Sequence, residues 1–412
     1  MWIATTQSFQ KRALPSARSL RALDVLNFFI AATLAGFGPF VSLFLGERGW
    51  SKETIGFALS IGGIAALLSQ LPGGELLDVV RSRRALVALG IVAVGFASLL
   101  IAFQPTFPMV SFALALEGIC GGLIGPAIAS ISLGLVGHGL LGNRLGRNQR
   151  FQSIGVITAT GLMGATGYLL SGSAIFLTSA ALVLPTLFAI KRIRARDIHF
   201  GRSVGAPDHH HLTSPPRAPR QVFWRNPQLI IFASSLFLFQ MANASMLPLV
   251  GATLGQTEGS KASAIVSGLI IVPQILVVLA APWAGHFAQS WGRRPLLVIG
   301  FGALPIRAFL FMYIFDPKLL MAAQVLDGVS ASVLGILQPL IIADVTNGTG
   351  RFNSAQGLVG VIVGIGASLS TTVSGLMVGN FGRSVGFLAL ALIGLAATII
   401  AWLFMSETRL AN

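Results

Sequence analysis

The sequence predicts an all-α polytopic membrane protein with twelve transmembrane helices arranged as two pseudo-symmetric six-helix bundles. Composition, the recurrence of apolar runs and an internal repeat carry that expectation. Of the 412 residues 54% are hydrophobic and only 10% charged, and the mean hydropathy is +0.80. A soluble domain has no means of keeping so much apolar surface from water.

Spanning a hydrocarbon core of roughly 30 Å takes about 20 residues of helix at about 1.5 Å each. Twelve such runs occur, at about 22–45, 54–77, 85–103, 109–136, 151–170, 174–190, 229–249, 263–287, 295–315, 319–343, 357–378 and 384–405. The loops between them are short and leave no space for a separate soluble domain. The basic stretch before the first run lacks a small-residue cleavage site, so that run is expected to be a retained helix. Residues 191–228 are polar, basic and interrupted by Pro215-Pro216, which reads as a linker. The organisation expected is an N-terminal bundle over 1–190, a cytoplasmic linker over 191–228 and a C-terminal bundle over 229–412. His209-His210-His211 in the linker are consecutive and lack a second ligand cluster, so no metal site is expected.

In a soluble protein the net charge of +15 would suggest nucleic acid. Topology explains it here. With the N-terminus inside, 22 of the 28 basic residues fall in the first tail, the even-numbered loops, the linker and the C-terminal tail. Five fall outside (Arg48, Lys52, Lys261, Lys318, Arg383), and Arg307 lies within the membrane. This is the positive-inside pattern, placing both termini on the cytoplasmic side of an inner or plasma membrane. No nucleic acid partner is implied. Cys120 is the single cysteine, so an internal disulfide framework is excluded and the residue reads as packing.

The two halves repeat. Pro39, Leu45-Gly46 and Ser51-Lys52 recur as Pro248, Leu254-Gly255 and Ser260-Lys261, 209 positions later. Pro72, Arg83-Arg84 and Leu116-Glu117-Gly118 recur as Pro282, Arg293-Arg294 and Leu326-Asp327-Gly328, 210 positions later. Repeats of this kind place a solute site near the bilayer midplane, between the halves.

The loop after the second run reads Gly74-Glu75-Leu76-Leu77-Asp78-Val79-Val80-Arg81-Ser82-Arg83-Arg84. It resembles the signature loop of the major facilitator superfamily, Gly-x-x-x-Asp-Arg-x-Gly-Arg-Arg, with Val79 for the first Arg and one extra residue. The second copy runs from Gly285 to Arg293-Arg294 and has Gln289 at the acidic position. Physically, Gly74 and Gly285 let helices approach closely. Asp78 at a helix end can accept bonds from backbone amides, and the Arg pairs suit inner-leaflet phosphates and helix C-termini. The resemblance implies that Asp78 helps hold an outward-facing state by contacting the opposite half. It also implies that spans one, four, seven and ten line a central cavity. Candidate cavity residues are then Asn27, Phe37 and Phe40 from span one, Gln240 and Asn243 from span seven, and Gln338 from span ten. Two family variants are absent: Leu114 stands where many proton-coupled relatives carry Arg, and span five lacks the antiporter Gly-Pro-x-x-Gly-Gly.

Three ionisable residues lie deep in apolar runs: Glu117, Arg307 and Asp327. An ionised side chain at mid-membrane costs about 2.5–3.5 kcal/mol, so such groups face a partner or a watery path. Arg307 and Asp327 are each ten residues from Pro317, which brings them to one depth on an antiparallel hairpin. An ion pair is expected, either structural or binding solute. Glu117 matches Asp327 in the repeat, but Ala97 stands where Arg307 would be. Desolvation without a cation disfavours the charged carboxylate, making Glu117 the candidate proton carrier.

Arg144, Arg147 and Arg150, with Gly350-Arg351-Phe352-Asn353, read either as a second cytoplasmic closure or as positive-inside anchoring. No nucleophile constellation, phosphate-cradling loop or metal cluster is written in the chain, so neither catalysis nor a cofactor is expected. The function expected is proton-coupled, alternating-access transport of a small organic molecule by a monomer in the bilayer, with export of a drug or siderophore-like metabolite favoured. Abundant Phe, 28 residues, suits an amphipathic solute. Import or facilitated movement of an organic acid, and a non-transporting sensor or scaffold, are the alternatives.

Overall fold

The computed structural model describes residues 16–206, 224–257 and 262–409. Among the described residues every regular element is a helix. In the first half the helices are α1 (Ala17–Leu34), α2 (Pro39–Glu47), α3 (Lys52–Val79), α4 (Arg83–Phe103), α5 (Phe107–Val136), α6 (His138–Leu169), α7 (Gly172–Ala181) and α8 (Val183–Arg192), followed by a short α9 (Phe200–Ser203). The second half has α10 (Pro227–Asn243), α11 (Met246–Thr257), α12 (Ala262–Ser290), α13 (Arg293–Tyr313), α14 (Pro317–Ala323), α15 (Val325–Val345), α16 (Phe352–Phe381) and α17 (Arg383–Phe404).

Local sequence sets many of these starts. Ser16 and Ser51 accept the amides of Ser19 and Thr54 at the heads of α1 and α3. Asn226-Pro227 and Asp316-Pro317 combine a side-chain cap with a proline at the first helical position, where its missing N–H costs nothing. Spans one, six, seven and ten are each two helices joined by a short break. At the first break Gly38 adopts φ +77°, which only glycine takes without strain.

Ten helices are long and apolar enough to cross a membrane by length and composition. The other two of the twelve expected spans are span one and span five, each for a physical reason. Span one is divided into pieces of 18 and 9 residues by a wider break, residues 35–38, than spans six, seven and ten, and its longer piece carries Arg18, Arg21 and Asp24. In span five, α6 begins at His138, well before the apolar run at 151, and Gly137 alone separates it from α5. Its first turns therefore carry Arg144, Arg147 and Arg150 on a helix instead of a loop. Asp24 of α1 makes that possible: Arg144 contacts Asp24 Oδ1, and Arg147 donates to Asp24 Oδ2 at 2.6 Å.

The linker also departs from a solvated loop over its described part. His199 N donates to Gly134 O at 3.1 Å and Ser130 Oγ to Ser203 O at 2.8 Å, docking α9 on α5. Asp197 accepts from the hydroxyls of Ser16 (2.5 Å) and Ser19 (2.6 Å), and these bonds hold its carboxyl below the usual carboxylate range. His209–His211, Pro215-Pro216 and the repeat element Ser260-Lys261 lie outside the described residues.

Apolar burial separates into two cores. One collects Leu23, Ile91, Val94, Ile101, Val110 and Phe176; the other Phe232, Leu297, Phe301, Leu337, Phe352 and Phe387. The halves meet through α3 against α16 and α6 against α12. Glycines make these crossings possible: a Cβ on Gly74 would lie 2.3 Å from Asn353 O, on Gly357 2.2 Å from Gln70 O, and on Gly285 2.5 Å from Gly142 O. All of these contacts lie toward the end that carries the basic loops. Gly357→Leu is therefore expected to hold the halves apart there. Spin labels at Arg81 and Asn347 would read a longer distance in the variant than in the parent; equal distances would count against the close approach.

Candidate functional site

Two features dominate the interface between the halves, a hydrogen-bonded contact at the basic end and a pair of cavities behind it. The contact is built on Asp78, in the last turn of α3 and only 8% exposed. Its Oδ1 accepts from Asn353 N at 3.1 Å and Asn353 Nδ2 at 2.9 Å; its Oδ2 accepts from Ser354 N at 2.9 Å and from Ser354 Oγ. Those two amides are at the head of α16, where a helix has unpaired N–H groups and partial positive charge. A carboxylate from one half thus caps a helix of the other. The described part of the linker closes the same point, since Asn353 Nδ2 reaches Ser203 O (3.2 Å), Phe352 N reaches Val204 O (3.2 Å) and Gly348 N reaches Gly205 O (2.7 Å).

The basic residues of the two loops work within their own halves. Arg83 donates to Leu77 O at 3.0 Å beneath the Phe200 ring, and Arg84 reaches Ile193 O at the end of span six. In the second half Arg293 donates to Ala288 O at 2.8 Å and to Asp344 at 2.9 Å, while Arg294 reaches Trp402 O at the end of span twelve. The arginines thus tie helix C-termini of each bundle. The corresponding contact of the second loop is weaker. Gln289 replaces the acid and lies 3.5 Å from His138 O at the head of α6. Neutral amide and long contact leave Gly285, on Gly142, as the closest element there.

Within the membrane Arg307 is 2% exposed and contacts Asp327 Oδ1, Asn243 Oδ1 and, at 3.3 Å, Met246 Sδ. Glu117 is half-buried on α5, and among the described residues no hydrogen-bond or ion-pair partner for it is present. Its Oε1 lies 3.7 Å from where a Cβ of Gly121 would stand, and Gly121 lines the larger cavity. It is therefore an uncompensated carboxyl beside the space between the halves.

That larger cavity, about 410 Å³, is walled by α3, α5, α6, α15 and α16, with Gln70, Gln149, Gln338 and Gln356 in its wall. A second, about 310 Å³, is lined by Gln240, Asn243, Asp327 and Ser330 and shares Gln149 and Gln338 with the first. Of the residues expected in the cavity from sequence, Gln240, Asn243 and Gln338 line one or both. Asn27, Phe37 and Phe40 do not line either. Phe37 and Phe40 pack on the first core, and Asn27 is 1% exposed, donating to Leu23 O and accepting from Gln152 Nε2 at 2.8 Å. α6 packs against α1 and supplies Asn148, Gln149 and Gln152 to the cavity wall, so Asn27 holds Gln152 instead of reaching the cavity itself. Among the described residues no group of three or more His, Cys, Asp or Glu is placed to hold a metal.

Sequence reading missed Asp24, Asp344 and Glu407. Glu407, near the C-terminus, accepts Arg293 N at 2.8 Å and so caps α13. A carboxylate close to a predicted helix end, opposite a basic loop, was the available signal for each.

Comparison with known proteins agrees with this geometry. A family profile described as the Major Facilitator Superfamily matches residues 23–278 and 243–412. An uncharacterized MFS-type transporter of Mycobacterium tuberculosis is 36% identical over 393 residues, covering 95% of this chain and 94% of the relative. Multidrug resistance protein MdtG of Dickeya zeae is 25% identical over 184 residues, 43% of this chain and 44% of that protein. In fold, the chain is similar to the proton:xylose symporter XylE, with a TM-score of 0.71 at 14% identity over 95% of this chain and 96% of that one.

Proposed function

Because the chain belongs to the major facilitator superfamily of transporters, we propose that it exports a small organic molecule by alternating access, coupled to proton entry, in a bacterial inner membrane. One observation carries the mechanism. Asp78 and the head of α16 close the basic end of a polar cavity lined by both halves, as expected of a protein captured with its cytoplasmic gate shut. Rocking the halves apart at the α3–α16 and α6–α12 crossings would open the same cavity to the other side. Export is the direction favoured by the partial likeness to multidrug resistance proteins. The basic loops and the linker would then face the cytoplasm, with both termini.

Glu117 is the proton carrier in this scheme. Its carboxyl is beside the cavity without a compensating cation, so it would be neutral when desolvated and release its proton when the cavity opens to water. Glu117→Gln mimics the protonated form permanently. In proteoliposomes with an imposed pH gradient, the variant is expected to lose concentrative transport while retaining gradient-independent exchange. Gradient-driven transport at the parent rate would remove Glu117 from the role, and solute moving in the same direction as protons would replace export by import.

A further inference from the structure

Four glutamines in the wall of the larger cavity, Gln70, Gln149, Gln338 and Gln356, make no side-chain hydrogen bond to the described residues. They come from four helices, α3 and α6 in the first half and α15 and α16 in the second. Gln70 Oε1 and Gln356 Nε2 are enclosed in the wall with no partner, so a solute meets the other end of these two amides together with Gln149 and Gln338. Buried amides are ordinarily bonded. Four such side chains around one cavity amount to a recognition surface.

Glycines of the opposite half house two of them. A Cβ on Gly360 would fall 2.1 Å from Gln70 Oε1, and one on Gly335 2.8 Å from Gln149 Oε1. Each amide is therefore held flush in the wall only while the halves are closed at the basic end. Among the described residues no Asp, Glu, Lys, Arg or His lines this cavity, although Glu117 lies beside it and Asp327 lines the adjoining one. An anion would meet only those carboxyls, a cation at the amides would touch no countercharge, and a purely apolar solute would leave the amides unpaired.

We propose that this amide ring is the substrate-recognition site and that it takes an uncharged solute bearing several hydroxyl or amide groups, such as a polyol or an acetamido sugar. The proposal deepens the transport reading and rests on it for physiological meaning, but binding tests it separately. Each glutamine presents a donor and an acceptor, so alternating hydroxyl or amide groups satisfy the ring without a net charge. The volume of about 410 Å³ admits a compact solute of this class.

The test uses the full chain in detergent or nanodiscs with four probes: myo-inositol, N-acetylglucosamine, tetraphenylphosphonium and benzoate. Thermal stability and equilibrium binding are measured for the parent, Gln356→Leu and Gln338→Leu. The expected result is a rise in Tm with at least one neutral probe and none with the cation or anion, and an affinity reduced about tenfold or more in either variant. The empty Gln356→Leu protein is expected to keep or raise its Tm, since an unpaired buried amide is removed; this separates recognition from packing. Preferential binding of tetraphenylphosphonium or benzoate, neutral binding untouched by both variants, or no response to either neutral probe would overturn the proposal. Flux in proteoliposomes reports on the other reading: glutamine-dependent binding without flux would overturn transport and leave the site, whereas flux of the charged probes alone would do the reverse.

Discussion

Replacing Asp78 with Asn is expected to remove most transport while leaving the protein folded and inserted. The carboxylate accepts four bonds from Asn353 and Ser354, two of them from backbone amides at the positive end of α16. An asparagine offers one oxygen in place of two, turns an NH2 toward donors, and loses the charge that the helix end favours. Hydrogen bonds to a charged group contribute about 1.5–3 kcal/mol each, so a net loss of about 3 kcal/mol is a conservative figure. That corresponds to roughly a hundredfold change in the ratio of closed to open states at the basic end. Most apolar burial lies within each half, and Ala129, Leu133, Leu141 and Leu145 of the first half also join the second core, which is why folding is expected to survive. In a Cys120→Ala background carrying Gln338→Cys, labelling from the basic side should rise sharply in the Asn variant. If expression and labelling fell together, Asp78 would be a folding residue and the gate would lie elsewhere.

Much of the frame was legible because it is written in short-range or repeated sequence. Constant offsets revealed the two halves, and the Gly74–Asp78 spacing, one helical turn, marked a face that approaches another helix. Arg307 and Asp327 could be matched because Pro317 fixes the turn between their helices. What was hidden depends on rotation about a helix axis and on long-range docking. In α3 and α16 apolar residues surround the helix, so nothing in the sequence distinguishes a cavity-facing Gln70 or Gln356 from a lipid-facing side chain. Span five was read as a bare apolar run, and its start was misplaced because Arg144 and Arg147 look like loop residues until Asp24, 120 and 123 positions away, is seen beside them. The linker posed the same difficulty. Its polar composition says loop, yet Ser203, Val204 and Gly205 supply carbonyls to the gate, and backbone acceptors leave no trace in sequence.

The largest loss of stability is expected at Arg307. Arg307→Met keeps much of the side-chain volume but removes the cation from a site where Arg307 is 2% exposed and touches Asp327, Asn243 and Met246. Asp327 would then be left as an uncompensated carboxyl, and breaking such a pair from one side costs about 3–5 kcal/mol. A fall in Tm or in the yield of monodisperse protein would report it. Arg307→Met with Asp327→Leu removes both charges and is expected to recover most of that loss, because a well-packed apolar pair is often as stable as the ion pair it replaces. The double variant also separates the two roles open to the pair. Asp327 is 27% exposed and lines the 310 Å³ cavity with Gln240 and Asn243, whereas Arg307 is enclosed. Recovery of stability together with transport would make the pair a strut between α13 and α15. Recovered stability with transport still absent would assign Asp327 to the solute or proton path. Failure of the double variant to recover stability would mean that Arg307 matters chiefly through Asn243 and Met246, and Asn243→Ala should then reproduce the loss.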